Sequence, residues 1–346
     1  MQSLVYSNFL NSIKSEFTKE TYNYHLRRFM NQHKDLTLES FLRLPVPKIE
    51  QLLINYMVQA KAKGLSARYI NGTLSTIKHL CVMNDVRINE RKMGKFLGEQ
   101  TSMNQDRAYT YEEIRKLLDV CDLRMKTIIL LLASTGMRIG ALPTLTTHDL
   151  DVSKHKVTVY ACTKDKYITF MTPECRQVLE SYLDYRVRSG EKITPDSPLI
   201  REQFDINDFE QIRKRCKPIT RSTIVNLLHH CIVKAGLKTV NHSYSGKERH
   251  AVPLAHGFRK FFTTQLVNSR INPEIREMLL GHKIGLASAY YKPTEDEMLS
   301  EYEKAIDALT IDPANRLRKK VEKLEVEASQ LQRLQAAVAA LEKKIK

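Results

Sequence analysis

The residues of this 346-residue chain that could do chemistry fall in four short segments. In Ser134-Thr-Gly-Met-Arg138-Ile-Gly an apolar run breaks at Gly136, with an arginine directly behind the break. In CTKDKYITF, Lys164 stands in a polar turn between two β-rich runs, with Lys166 two residues on. His256-Gly-Phe-Arg259 sets two cationic donors at i and i+3 beside a helix start, and Leu280-Gly-His282 is followed nine residues later by Tyr291. Singly, each has an ordinary structural reading: Arg138 as a helix cap, Lys164 as an exposed turn residue, His282 as a satisfied histidine, Tyr290-Tyr291 as packing. Together they suit work on a phosphodiester. Two guanidiniums can clamp phosphate oxygens in a fork geometry that lysine does not reproduce. A tyrosine can hold a phosphoryl group covalently, which splits one strand transfer into two near-isoenergetic steps. No metal is needed for this, and no compelling ligand cluster is present, so neither metal nor cofactor is expected.

As a set, the four boxes resemble the tyrosine recombinase family, the phage-integrase-like site-specific recombinases, over roughly residues 5–310. T-G-M-R supplies the first box with Arg138, the hairpin lysine matches Lys164 with Lys166 as the alternative, H-x-x-R is met by His256 and Arg259, and L-G-H by His282. The family's nine-residue step from that histidine lands on Tyr291, with Tyr290 beside it. Four boxes in order are far more specific than any one of them. The resemblance implies cleavage and rejoining of DNA strands through a 3′-phosphotyrosine. In that scheme Arg138 and Arg259 stabilise the charge that grows on the non-bridging oxygens. Lys164 protonates the departing 5′-oxygen, while His256 and His282 bind the phosphate and His256 also suits the tyrosine proton. One departure stands out: many members carry an acid three residues after the first arginine, and here that position is Ala141, which removes a usual buttress of the site.

These side chains must be held by a mainly α fold. In TKETYNYHLRRFMNQH the apolar Tyr22, Leu26, Phe29 and Met30 follow helical spacing, with Thr18 as an available cap. A second stripe runs from Ile49 to Ala60 and ends at Gly64; Ser66 caps a third with Ile70, Leu74, Ile77 and Cys81. Residues 99–109 are polar and aperiodic, as in a linker. Thr110-Tyr-Glu-Glu113 is a capping box, opening a helix that precedes the long apolar one ending at Gly136. KVTVYAC and YITFMT read as a hairpin, and helices are expected at about 174–188, 221–235, 258–268 and 273–280. The stretch 240–257 reads as a polar loop. From Leu317 to Ile345 apolar residues step by threes and fours, a heptad seam with one stammer, which suits a coiled coil. The organisation expected is a helical core-binding (SAM-like) domain over 1–98, an α-rich catalytic domain with a small sheet over 110–312, and an oligomerising helix over 313–346.

Charge points to the partner. Lysine and arginine number 55 against 39 acids, a net +16, which favours a polyanion. Residues 1–98 hold 15 basic and 7 acidic side chains, whereas 99–312 hold 31 and 28. A DNA-gripping first domain beside a near-neutral catalytic one distributes charge in this way. Lys61, Lys63 and Arg68 flank a helix start, and with Lys78 and Lys166 they are the expected phosphate contacts. The expected partner is double-stranded DNA, gripped by a C-shaped clamp that assembles into a tetramer at synapsis. No apolar run approaches the roughly 20 residues of a membrane span. Six scattered cysteines without a C-x-x-C pair fit reduced thiols, and no secretory signal is read, so the expected location is cytoplasmic. The rivals are a type IB topoisomerase, which needs no second site, and a catalytically silent DNA-binding architectural protein. A transposase using Asp205, Asp208 and Glu210 on Mg²⁺, and zinc on His229, His230 and Cys231, find no convincing ligand geometry in the sequence.

Overall fold

The computed structural model describes residues 4–97, 106–213, 216–237, 240–242, 248–250, 252–285 and 290–345. The chain divides into two compact units, Met1–Asn104 and Gln105–Lys346. The expected linker lies outside the described residues as far as position 105.

The first unit is all helix: α1 (Leu4–Asn11), α2 (Glu16–Met30), α3 (Leu38–Leu42), α4 (Val46–Ala62), α5 (Ala67–Val82) and α6 (Glu90–Leu97). The apolar stripes read from the sequence converge on one core that includes Leu26, Phe29, Ile49, Leu53, Met57, Ile70, Ile77 and Leu80. Thr18 does not cap α2. Ser15 does, accepting the Thr18 backbone N–H at 3.4 Å, because the helix starts a turn earlier than its apolar spacing marks. Ser66 caps α5 as its type predicts, accepting the Tyr69 N–H. One polar knot crosses the core: Thr73 Oγ1 lies 2.9 Å from His25 Nδ1 and 3.1 Å from the Tyr56 hydroxyl.

The second unit opens with α7 (Tyr111–Val120), held by the Thr110–Glu113 capping box, and α8 (Leu123–Thr135). Helix α8 is buried nearly all round, from Met125 to Thr135, as an apolar run without a polar face must be. Strands β1 (Leu150–Asp151), β2 (Lys156–Val159) and β3 (Tyr167–Phe170) form an antiparallel sheet in which Val159 pairs with Tyr167. The helices α9 (Pro173–Arg188), α10 (Phe209–Arg213) and α11 (Arg221–Lys234) follow. The polar stretch read as a loop instead holds a second small sheet: β4 (Val240–His242) pairs antiparallel with β5 (Glu248–His250). Three residues per strand leave too short a run for alternation to show, so the sequence reading of a single sheet is corrected to two.

Next come α12 (His256–Asn268), α13 (Pro273–Leu279), α14 (Glu295–Glu303), α15 (Ile306–Leu309) and α16 (Pro313–Ile345). The heptad segment is thus one helix of 33 residues. Its root is anchored where the Arg316 guanidinium lies 3.8 Å over the Tyr111 ring and its Nε donates to the Thr310 carbonyl. Farther along, Leu317, Val321, Leu324, Leu331 and Leu334 are exposed. Among the described residues, no helix is long and apolar enough to cross a membrane.

Candidate active site

The T-G-M-R box works because α8 ends abruptly. Gly136 takes the left-handed conformation (φ 62°), and a Cβ there would come within 2.2 Å of the Phe262 ring. Two residues on, Arg138 leaves in extended conformation ahead of a 3-10 turn, its side chain exposed. The Gly136 carbonyl, freed at the helix end, accepts Arg259 Nη1 at 2.7 Å.

Arg259 sits in the first turn of α12 and is only 6% exposed. Its Nη2 donates to the Leu280 carbonyl and to His282 Nε2, both at 2.7 Å. Three of five guanidinium N–H groups are therefore committed to these acceptors. The L-G-H box is a helix C-terminus. Gly281 is left-handed (φ 66°), its N–H donates to the Met278 carbonyl at 2.8 Å, and the His282 N–H donates to the Glu277 carbonyl at 2.9 Å. That pair of bonds is a Schellman closure. A Cβ on Gly281 would lie 2.5 Å from the Tyr167 ring, so glycine is required by its neighbour on β3 as well as by its backbone.

The closure folds His282 back over α13, where its Nδ1 meets Glu277 Oε2 at 2.6 Å. Arginine can only donate, so Nε2 must be the bare acceptor and the ring proton resides on Nδ1. Glu277 also accepts Arg276 Nε at 3.1 Å. Its carboxyl is held below the usual range; burial opposes this, and the bonds from His282 and Arg276 overcome it. The spacing of the boxes had not singled out Glu277. The signal was available in the Gly281 cap, since a Schellman motif always brings the residue after the glycine against the one five positions earlier. Ala141, the missing acid of the resemblance, is fully buried, and the carboxylate that touches His282 is Glu277, on another element.

Positive charge concentrates here. Burial, then the Arg138 charge, pulls the Arg259 pKa down. His256, exposed at the start of α12, is held below its ordinary value by burial and then by Lys260 and Arg259. Two phenols that the sequence reading passed over face the same arginines. Tyr160 is pushed up by burial, and Tyr167 up to about 12, with Arg138 and Arg259 opposing in each case. The Tyr167 hydroxyl is buried beside Arg259. Among the described residues, no carboxylate bridges Arg138 or Arg259.

Arg138, His256, Arg259 and His282 thus share one patch. Lys164 and Lys166 stand exposed in the turn between β2 and β3, where the Lys166 N–H donates to the Thr163 carbonyl. Tyr291 is half-buried against the core of the unit, while Tyr290 is 91% exposed. The Tyr291 phenol is raised by burial first and then by the carboxylates of Glu297, Glu274 and Glu301, with no arginine opposing. The structure does not place it among the arginines.

In the first unit, Lys61 lies in the last turn of α4, Lys63 caps that helix, and Arg68 is exposed just inside α5. Lys78 is paired with Glu90 at 2.5 Å. An open groove of about 530 Å³ runs along α2, lined by Glu20, Asn23, Tyr24, Arg27, Arg28 and Asn31. The sequence reading followed the apolar face of α2 and missed this one.

A mainly helical domain with a β-hairpin, two arginines, two histidines and a downstream tyrosine in this order defines a tyrosine recombinase, an enzyme that breaks and rejoins DNA strands at specific sites. The chain belongs to the phage integrase family, whose family model matches residues 107–297. The tyrosine recombinase XerA of Pyrococcus furiosus is 25% identical over 303 residues, covering 84% of this chain and 89% of that protein. The tyrosine recombinase XerC of Bacillus subtilis is 24% identical over 253 residues, covering 70% and 76%. Among solved structures, the Tn1549 transposon integrase in complex with transposon right end DNA shares the fold, at a TM-score of 0.57 and 18% identity over 87% of this chain and 98% of that one. A lambda integrase dimer bound to a core site aligns at a TM-score of 0.52 and 14% identity, covering 81% of this chain and 90% of that one.

Proposed function

We propose that the protein recombines duplex DNA at specific sites for the integration or excision of a mobile or viral element, with Tyr291 as nucleophile. The observation that carries the reading is the pair Arg138 and Arg259, flanked by two histidines and in direct ion-pair contact with no carboxylate among the described residues. A phosphodiester entering this patch supplies the missing negative charge. Its non-bridging oxygens take donors of Arg259 and the exposed guanidinium of Arg138. The Tyr291 oxygen attacks phosphorus, its proton passes to His256, and the phosphorus–5′-oxygen bond breaks as Lys164 gives that oxygen a proton. Rejoining runs the same steps backwards on a new strand. Because the Tyr291 phenol has carboxylates as its neighbours, attack requires it to leave them for the arginines.

The first unit grips the duplex. Lys61, Lys63 and Arg68 around the capped start of α5 suit backbone phosphates, and Asn23 and Arg27 on α2 with Asn31 at its C-cap, one turn apart, have the donor and acceptor types that read base edges. The seam of α16 joins protomers, up to a tetramer at synapsis. The reaction takes place in the cytoplasm or nucleoid. The test is a nicked suicide duplex carrying the recombination site. The wild-type protein and Tyr290→Phe trap a covalent adduct, also in EDTA, whereas Tyr291→Phe binds and traps none. Adducts with Tyr291→Phe and none with Tyr290→Phe would move the nucleophile by one residue.

A further inference from the structure

We propose that Glu277 is a positioning residue: through the Nδ1–H of His282 it fixes which ring nitrogen is bare, and so holds Arg259 in its phosphate-binding pose. The inference deepens the recombinase reading and rests on it. The geometry is a chain of three links. Glu277 Oε2 accepts His282 Nδ1–H at 2.6 Å, and His282 Nε2 accepts Arg259 Nη2 at 2.7 Å. Arg259 then carries the site's buried positive charge.

Each link dictates the next. Without a carboxylate on Nδ1, the neutral ring is free to carry its proton on Nε2, where it would confront an arginine that has only donors. Two donors facing one another cannot bond, and Arg259 would lose one of the three ties that orient it. The carboxylate forbids that tautomer. Position 141, buried and an alanine, supplies no such support. The Schellman closure makes the arrangement local: the His282 N–H bonds the Glu277 carbonyl, which brings the two residues within side-chain reach. Arg276, whose Nε reaches the other Glu277 oxygen at 3.1 Å, holds the carboxylate in turn.

The test joins kinetics to spectroscopy on the full chain. Glu277→Ala is expected to slow cleavage of the nicked duplex about 10–100-fold, the range for outer carboxylates that orient a functional histidine. Glu277→Gln keeps an oxygen that accepts from Nδ1–H and is expected to recover part of the loss. In a His282→Ala background the same Glu277→Ala change should add less than about twofold, since independent sites add within that error. Nitrogen-15 spectra of His282 should place the proton on Nδ1 in the wild-type protein and move it toward Nε2 in Glu277→Ala. Penalties that multiply in the double variant, or a ring proton still on Nδ1 in Glu277→Ala, would overturn the proposal. If Glu277→Ala fails to fold, the spectrum and rate of Glu277→Gln decide, and a wild-type rate with an unchanged tautomer sinks the idea when Gln is replaced by Leu as well. A wild-type protein that forms no adduct at all would sink the recombinase reading instead, and the spectra would still report on Glu277.

Discussion

Two sites of buried arginine in the second unit, one holding a pair and the other Arg259, resolve the same physical problem in opposite ways. Arg186 and Arg201, 0% and 2% exposed, share one carboxylate. Glu191 Oε1 accepts Arg186 Nη2 at 2.5 Å, and its Oε2 accepts Arg186 Nε at 3.0 Å and Arg201 Nη1 at 2.7 Å. Burial alone would raise the Glu191 pKa, but the two guanidiniums hold it at about 2. Carbonyls of Pro198, Leu199 and Gln211 take further donors. Arg259 is almost as buried, yet its partners are two carbonyls and a neutral imidazole. A guanidinium with a carboxylate is finished structure. One hydrogen-bonded only to neutral acceptors has the charge that the proposed phosphate contact requires.

The contrast can be broken by experiment, and the largest effect should come from the finished cluster. Glu191→Gln leaves two buried cations without a counter-charge, and should cost about 3–5 kcal/mol of stability in denaturant melts. Cleavage per folded molecule should hardly change. Next comes Arg259→Ala, expected to slow adduct formation by about 10²–10³. An equal loss of rate in both variants would erase the distinction between the two sites. Third, a short duplex carrying the site should stabilise the wild-type protein by about 2.7 kcal/mol at 100 times Kd, seen as a rise in melting point. The rise should persist in Glu191→Gln and shrink in Arg259→Ala.

The smallest effect sharpens the comparison with a third way to bury a basic group, which is to keep it neutral. His25 in the first unit is lowered by burial and then by the Arg28 charge, and His33 and His79 are lowered by burial. The unfolded chain takes up protons near pH 6.5 where the folded one resists. The contribution is therefore complete above about pH 6.5 and is lost as pH falls below it toward the folded values. Glu191, folded at about 2, acts in a lower window: its contribution is complete above the unfolded carboxylate range and is lost as pH falls toward 2. Melts between pH 8 and 5 should show the histidine loss alone, and stability that rises on acidification would reverse the assignment.

The comparison also marks what could be read in advance. Arg138 and His282 were legible because the glycine before each ends a helix in a left-handed turn, and glycine punctuates a sequence visibly. The Thr110 cap and the turn carrying Lys164 were legible for the same kind of local reason. Glu277 was not, since its role depends on which way the chain turns after Gly281. The cap at Ser15 was hidden because Phe17 and Thr18 blur the start of the apolar stripe. Strands of three residues at 240–242 and 248–250 carry no readable period. The carboxylates beside Tyr291 come from α13 and α14, which only the tertiary fold brings to one place.

Arg259 has one more consequence, which concerns the safety of carrying a DNA-cutting enzyme in a cell. Its guanidinium is tied to the last turn of α8 through Gly136 and to the end of α13 through Leu280. A molecule in which either helix end is unmade, during synthesis or after damage, has no properly oriented clamp. Under the proposed mechanism, a lesion that unmakes either helix end would therefore also remove the oriented arginine that cleavage needs.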